Sequence, residues 1–196
     1  METGVLFSIH PKWCDLIFRG KKTCEVRKVA PTLTPPYTGY IYCTSSGKTL
    51  NIPITLEQLT EDVAVNGMKS MNCPIGNGKV VGEFRVLRHT FIQTGTDPDG
   101  RRHLYNTAFI GSTCLSDEAL FKYLERKNGE GWAIDFVGLK IYRTPKTLAD
   151  FVKPPCEKST GCTGCKDWDG LRHICTRSCL ITRPPQSWCY VWPAPF

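Results

Sequence analysis

The spacing of apolar and polar residues near the start of the chain predicts two short strands around one helix. The apolar run at residues 5–9 has the length of a buried strand, and residues 23–27 alternate in the way of a second strand. Between them, a helix is predicted to begin at Pro11 and to end at Gly20. The apolar face of this helix, with spacings of three and four residues, consists of Trp13, Leu16 and Ile17.

The rest of the main domain shows more strand patterns than helix patterns. Residues 39–44 and 79–87 are rich in β-branched and aromatic residues, and residues 132–142 contain two further strand patterns. Ser116 begins a helix with acidic residues in its first turn, and Gly129 follows its end. Because strands outnumber helices and do not alternate regularly with them, we expect an α+β domain with a small barrel-like sheet.

The pattern changes after residue 150. Residues 1–150 are predicted to form the main domain, whereas residues 151–196 are rich in proline and cysteine and have little apolar periodicity. We expect this tail to pack back on the barrel. Such a segment needs an additional source of folding free energy, and a bound metal ion is one such source.

A cluster of cysteines lies in the tail. Cys162 and Cys165 have the spacing of one arm of a tetrahedral zinc site, and a second arm can supply the other two thiolates. The N-terminus has no secretory signal pattern, and no apolar stretch has the length of a membrane span. We therefore expect a cytoplasmic protein without membrane association, whose cysteines bind zinc or remain buried thiols.

The charge of the chain favours an anionic partner. The formal net charge is +7, which makes nucleic acid the first expectation and an acidic protein or membrane surface the second. Six cations but only two acids fall between residues 12 and 28. The basic residues of this segment are Lys12, Arg19, Lys21, Lys22, Arg27 and Lys28.

Within this basic segment, residues 20–27 have the pattern G-x-K-x-x-E-x-R. Glu25 and Arg27 share one face of the predicted strand, and Lys22 can bend toward the same face from the preceding turn. A carboxylate between two cations stays ionised and fixes their positions, so that Arg27 can present its planar guanidinium to a phosphate or a base. The alternative is an exposed network of ion pairs on a solvated strand, which would contribute little to the stability of the protein.

In its context, this octapeptide resembles the signature of the ASCH domain, a member of the PUA-like superfamily. The resemblance covers about residues 4–150 and implies a small PUA-like β-barrel flanked by helices, with a cleft beside the motif strand. Further segments that are similar to the family are residues 8–11, 40–44, 80–83, 131–134 and 142–145.

The resemblance implies a binding function at this cleft. It indicates nucleic acid, with RNA as the first choice, or a modified nucleoside, bound through Lys22, Glu25 and Arg27. Trp13 and Trp132 are the aromatic residues expected beside the cleft, where they could stack on bases.

The tail is also similar to the cysteine-rich segment that follows the ASCH domain in related, often phage-encoded, proteins. For a phage protein, the cytoplasm would be that of the host cell. The resemblance implies one Zn²⁺ with Cys179 or His173 as a possible replacement ligand. The four favoured zinc ligands are Cys156, Cys162, Cys165 and Cys175.

Two other function classes remain open from the sequence. Some small ASCH relatives are amidohydrolases that act on an acylated nucleoside with a lysine, a threonine and a glutamate. Lys22 is at the lysine position here, but Glu25 is at the threonine position and cannot act as a hydroxyl nucleophile. A nuclease with Lys22 and Glu25 as acid–base partners is a related possibility. The third hypothesis is an adaptor that binds a protein partner through the cysteine-rich tail.

Overall fold

The structure is a computed structural model that describes residues 2–53, 73–107, 111–154 and 181–193. All the proposed zinc ligands, including Cys179 and His173, lie outside the described residues.

The described part of the chain is dominated by one sheet, with two α-helices and two short 3₁₀ turns. This content confirms the α+β class. The 3₁₀ turns are Glu125–Lys127 and Leu148–Asp150. The strands and helices are β1 (Gly4–Ile9), α1 (Pro11–Phe18), β2 (Cys24–Arg27), β3 (Tyr37–Cys43), β4 (Lys79–Thr96), β5 (Arg102–Tyr105), α2 (Asp117–Leu124), β6 (Glu130–Lys146), β7 (Phe151–Val152) and β8 (Trp188–Pro193).

Local sequence explains the ends of both helices. Pro11 occupies the first turn of α1, where its missing N–H costs nothing, and Gly20 follows the helix with a φ of 68°. The side chain of Ser116 caps α2 by accepting a hydrogen bond from the Ala119 amide at 3.3 Å. Both predicted helices are therefore confirmed.

The eight strands form an open sheet in the order β2-β6-β4-β3-β1-β8-β7, with β5 paired to β4. The edge strands β2 and β7 do not pair with each other. The expectation of a closed barrel is therefore wrong for the described part of the chain.

The reason for the open sheet lies at the outer edge of β2. This strand has only four residues, and its Cys24 amide donates to the carbonyl of Ser112 in a loop rather than to another strand. Further along, the Arg27 side chain reaches from β2 to the Ser8 carbonyl of β1 at 2.7 Å. A loop and a side chain thus cover an edge that would otherwise be exposed.

Strands β4 and β6 are much longer than the others, with 18 and 17 residues, and their pairing has three register shifts. Such bulges bend a strand and increase its twist. The same pair of strands can therefore contribute buried residues to two different apolar clusters. Gly82 lies at the first bulge, where an added Cβ would approach the Lys140 carbonyl oxygen to 2.6 Å. Close contact between the two backbones therefore requires glycine at this position.

Buried apolar residues form three clusters. The largest lies between α1 and the sheet and includes Phe7, Phe84 and Ile134. A second surrounds Phe151 next to β8, and a third lies under α2 around Leu124. Cys24 and Val26 belong to the third cluster, so one face of the motif strand β2 packs under α2.

The described part of the tail belongs to the same sheet. Strand β8 pairs with β1, with Leu6 opposite Cys189, and β7 pairs with β8. Among the residues that the structure describes, no helix is long and apolar enough to cross a membrane.

Candidate functional site

The three charged residues of the motif form one buried cluster. A Glu25 carboxylate oxygen lies 3.1 Å from Lys22 Nζ, and the other lies 3.0 Å from Arg27 Nη2. The exposed fractions are 2% for Lys22 and 8% for both Glu25 and Arg27. The cluster is therefore not a solvated surface network, because water reaches only a small part of each side chain.

The ammonium group of Lys22 is fully engaged inside the protein. Its Nζ donates to the carbonyls of Cys24 at 2.7 Å and Thr113 at 2.9 Å, and it lies beside Glu25. A lysine ammonium has three protons, and here three acceptors surround it. Lys22 therefore ties β2 to the loop before α2 and holds the Glu25 carboxylate in place.

Arg27 differs from Lys22 because some of its donors remain available. Its Nη2 donates to the Ser8 carbonyl at 2.7 Å and lies 3.0 Å from Glu25. Within the described part of the chain, the Nη1 atom makes only a 3.4 Å contact with Ser187 Oγ. Its buried Nε has no hydrogen-bond partner among the described residues. Leaving a buried donor unpaired costs about 1–3 kcal/mol, so an acceptor at this position would be stabilising.

A segment of the tail lies over Arg27. We call residues 183–190 the C-terminal strap. The Ser8 amide donates to the Ser187 carbonyl at 3.0 Å, and the Ser8 hydroxyl donates to the Pro185 carbonyl at 2.6 Å. These bonds place the Ser187 hydroxyl next to the guanidinium group of Arg27.

Two aromatic residues anchor the far end of the strap. The indole N–H of Trp188 donates to the Val29 carbonyl at 2.9 Å, and the Tyr190 hydroxyl accepts a hydrogen bond from the Thr32 amide at 2.8 Å. Both rings are half-buried and pack against the largest apolar cluster. The strap is thus fixed to the loop that follows β2.

A second pair of aromatic rings lies beside Arg27 within the sheet. Trp132 is directly opposite Arg27 in the β2–β6 register, and Phe91 is directly opposite Trp132 in the β4–β6 register. Residues in these positions point to the same face of a sheet, with their Cβ atoms about 5 Å apart. The Phe91 and Trp132 rings meet edge to face with centroids 5.4 Å apart, and both are half-buried.

The structure brings together all five residues that the sequence singled out for the cleft. Lys22, Glu25 and Arg27 are in contact, and Trp132 is opposite Arg27. Lys22 Nζ lies 5.4 Å from the centre of the Trp13 ring, which is within cation–π range.

Several residues at this site could not be found from the sequence. Tyr123 of α2 lies close enough to the motif that Glu25 raises the pKa of its phenol and Arg27 lowers it, although burial makes the largest contribution and the net pKa is raised. Its ring also lies 4.9 Å from Lys28 Nζ. The spacing of α2 indicated only its buried face, and no local signal connects this helix to β2.

Cys24 has the properties of a core residue rather than a nucleophile. It is fully buried in the cluster under α2, on the opposite face of β2 from Glu25. Burial, together with the nearby Asp135 carboxylate, raises the pKa of its thiol well above the usual range. The neighbouring Thr23 hydroxyl accepts a hydrogen bond from the Ser112 amide at 3.0 Å.

Two surface cavities on the described part of the chain lie away from the motif. One, of about 220 Å³, lies between α2 and the β4–β5 hairpin. The other, of about 290 Å³, is lined by residues that include Tyr37, Glu83 and Arg85. Neither of these cavities is lined by Arg27.

No protein-family model matches the sequence, and no curated protein matches it. Among solved structures, an ASCH protein from Zymomonas mobilis is 16% identical to this chain, covers 95% of it over 86% of its own length, and has a TM-score of 0.48. Crystal structures of two point mutants of that protein have the same identity and TM-score and are covered over 88% and 87% of their lengths. A likeness of this size transfers no activity to this chain.

Among the described residues, no group of three or more histidine, cysteine or acidic side chains has the arrangement of a metal site. The zinc ligands proposed from the sequence lie outside this part of the chain. Zinc binding by the tail remains a prediction.

Proposed function

We propose that this protein binds single-stranded nucleic acid, with RNA as the expected form, at the surface around Arg27. The observation that carries the proposal is the Arg27 guanidinium group, whose Nη1 makes a long 3.4 Å contact with Ser187 Oγ and which lies opposite Trp132 in the β2–β6 register. Arginine donors suit phosphate and base oxygens, and aromatic rings stack on bases that are not held in a duplex.

Each residue of the motif has a distinct role in this proposal. Arg27 contacts the ligand, Glu25 keeps the guanidinium in place, and Lys22 keeps Glu25 ionised and fixed. Exposed cations near the motif, such as Lys12 and Lys21, attract the phosphate backbone at longer range. The half-buried Trp132 and Phe91 supply the stacking surface.

Binding is favoured over hydrolysis by the state of Lys22. A general acid–base role requires a proton that can be exchanged with a substrate, and all three protons of Lys22 point to acceptors within the protein. Thr23 and Cys24 are also engaged or face away from Glu25. A binding module therefore accounts for the geometry with fewer rearrangements than an amidohydrolase or a nuclease.

The proposal includes the cysteine-rich tail. We propose that Cys156, Cys162, Cys165 and Cys175 bind one Zn²⁺, because their thiolates have the number needed for a tetrahedral site. The bound metal would contribute folding free energy to a segment with little apolar periodicity. The strap follows this segment directly in the sequence.

A titration tests the binding function. Fluorescently labelled single-stranded RNA, single-stranded DNA and duplex DNA are titrated with protein at about 50 mM and about 200 mM salt. We expect the single strands to bind more tightly than the duplex, and their affinity to fall at the higher salt concentration. Arg27→Lys keeps the charge but removes the planar guanidinium donors, and we expect it to weaken binding by about tenfold, which corresponds to 1.4 kcal/mol.

The control variant is Arg101→Lys, because Arg101 is exposed and forms an ion pair with Asp99 at 3.2 Å, away from the motif. Circular dichroism shows whether each variant remains folded. Equal affinity of the wild type and Arg27→Lys for every nucleic acid would refute the proposed role of Arg27. Release of cleaved strand or free nucleoside would favour the enzyme alternatives.

A further inference from the structure

The cavity beside α2 has a composition suited to a planar, polar ligand. We call it the α2 cavity. It has a volume of about 220 Å³ and is lined by residues from β4, β5, α2 and the turn that follows α2. Pockets for drug-sized ligands are usually about 300–1,000 Å³, so this cavity is suited to a smaller group such as one ring system.

The polar side chains of the cavity are largely uncommitted. The side chains of Thr94, Thr96 and Asn128 have no hydrogen-bond partner among the residues that the structure describes. Asn128 has a φ of 54° and Gly129 has a φ of 80°, so the two residues form a left-handed turn after the helix. This turn places Asn128 in the lining of the cavity. An amide and two hydroxyls offer both donors and acceptors to a ligand.

The two charged groups of the cavity are only loosely paired. Arg102 and Glu125 are 3.8 Å apart, and their side chains are 55% and 68% exposed. An exposed ion pair of this kind contributes little to the stability of the protein, so a ligand can replace either partner at low cost in free energy. The Arg102 guanidinium also lies 5.9 Å from the centre of the half-buried Phe121 ring, which gives the cavity an aromatic wall beside a cation.

We propose that the α2 cavity binds one base of the same nucleic-acid strand that contacts Arg27. This inference rests on the proposed function. Phe121 would stack on the ring of the base, and Asn128 with the threonine hydroxyls would contact its polar edge. Arg102 would contact the base or the adjacent phosphate.

Helix α2 connects the two sites. Tyr123 lies on the side of Arg27, with Lys28 Nζ above its ring, whereas Phe121 lies on the side of the cavity. Because α2 packs on the face of β2 opposite Arg27, one strand that binds both sites would cross α2 and then the outer edge of β2. The exposed Lys122 and Arg126 lie along this helix and the turn after it, where they can contact the phosphates between the two bases.

The dependence of affinity on strand length tests this inference. A dinucleotide can occupy the Arg27 site alone, whereas a strand of about ten nucleotides can occupy both sites. Arg102→Gln and Asn128→Gly each remove cavity contacts, and glycine accepts the positive φ at position 128. We expect each variant to weaken binding of the longer RNA about fivefold, the loss of roughly one hydrogen bond, and to leave dinucleotide binding unchanged.

The matched control is Arg101→Gln, which removes a neighbouring exposed cation that does not line the cavity. Unchanged binding of the longer RNA by both cavity variants would overturn the inference, as would an equal loss for the dinucleotide and the longer RNA. A failure of the proposed function has a different signature, in which Arg27→Lys binds both ligands as well as the wild type. A free nucleoside that displaces the longer RNA only from the wild type would show that the cavity recognises the base itself.

Discussion

The buried ammonium group of Lys22 supports the whole motif, so its removal has a predictable effect on stability. In Lys22→Met, the Glu25 carboxylate loses one of its two cations, and the carbonyls of Cys24 and Thr113 lose their donor. Removal of one partner from a buried ion pair typically costs about 3–5 kcal/mol. We expect urea denaturation to show a loss of this size in the free energy of unfolding.

Lys21→Met is the control, since Lys21 is the exposed neighbour with the same side chain. Its effect should be within about 0.5 kcal/mol, as is usual for surface substitutions. Similar losses for the two variants would contradict the burial of the Lys22 ammonium group among three acceptors.

At the level of single residues, the sequence predicted which side chains meet but not how each is used. The pattern of residues 20–27 correctly placed Glu25 between Lys22 and Arg27. It did not reveal the Thr113 carbonyl, which accepts a hydrogen bond from Lys22 although it lies in a distant part of the chain. Contacts between residues so far apart leave no trace in local periodicity, and for the same reason the sequence did not reveal Tyr123 or Ser187.

The C-terminal strap is the element that most directly affects access to the proposed site. Its Ser187 hydroxyl lies 3.4 Å from Arg27 Nη1, a long contact that a ligand oxygen can replace. We therefore expect Ser187→Ala to bind single-stranded RNA about twofold to fivefold more tightly, because less than one hydrogen bond must be broken on binding. The RNA titration described above measures this difference.

Thr32→Ala is a suitable comparison, because it removes a strap contact with Tyr190 but no contact with Arg27. Its affinity should equal that of the wild type. Weaker binding by Ser187→Ala would mean that Ser187 helps to hold the ligand, and the strap would then be part of the binding surface rather than a competitor.

Among the elements, those with strong local signals were predicted correctly. Both helices have caps and an apolar face within a few residues, and β2 alternates clearly. Strand β4 continues to Thr96, beyond the predicted end at residue 87. The prediction ended the strand too early because bulges in its pairing with β6 shift the alternation of buried and exposed positions. The closed barrel was not realised, since β2 is covered by Ser112 and Arg27 rather than by another strand.

At the scale of the whole molecule, zinc content is the measurement that tests the proposed tail. We expect about one zinc per chain in protein purified without chelator, because four thiolates complete one tetrahedral site. Cys162→Ser should lower this value, since it removes a ligand from the central pair. Inductively coupled plasma mass spectrometry provides the count.

Cys73→Ser is the control for this measurement, because Cys73 is an exposed free cysteine outside the tail. It should retain the zinc content of the wild type. A value near zero in the wild type would show that the cysteine cluster does not hold the metal, and the tail would then need another explanation for its composition.

Strand β8 lies between β1 and β7, although almost the whole described chain separates β1 from β8 in sequence. During synthesis, β1 therefore leaves the ribosome long before one of its two neighbours exists. Until β8 arrives, one edge of β1 stays open to pairing with other chains, and the Ser8 amide lacks its Ser187 acceptor. Translation that stops short of β8 would thus leave a nascent protein both prone to self-association and without the cover over Arg27.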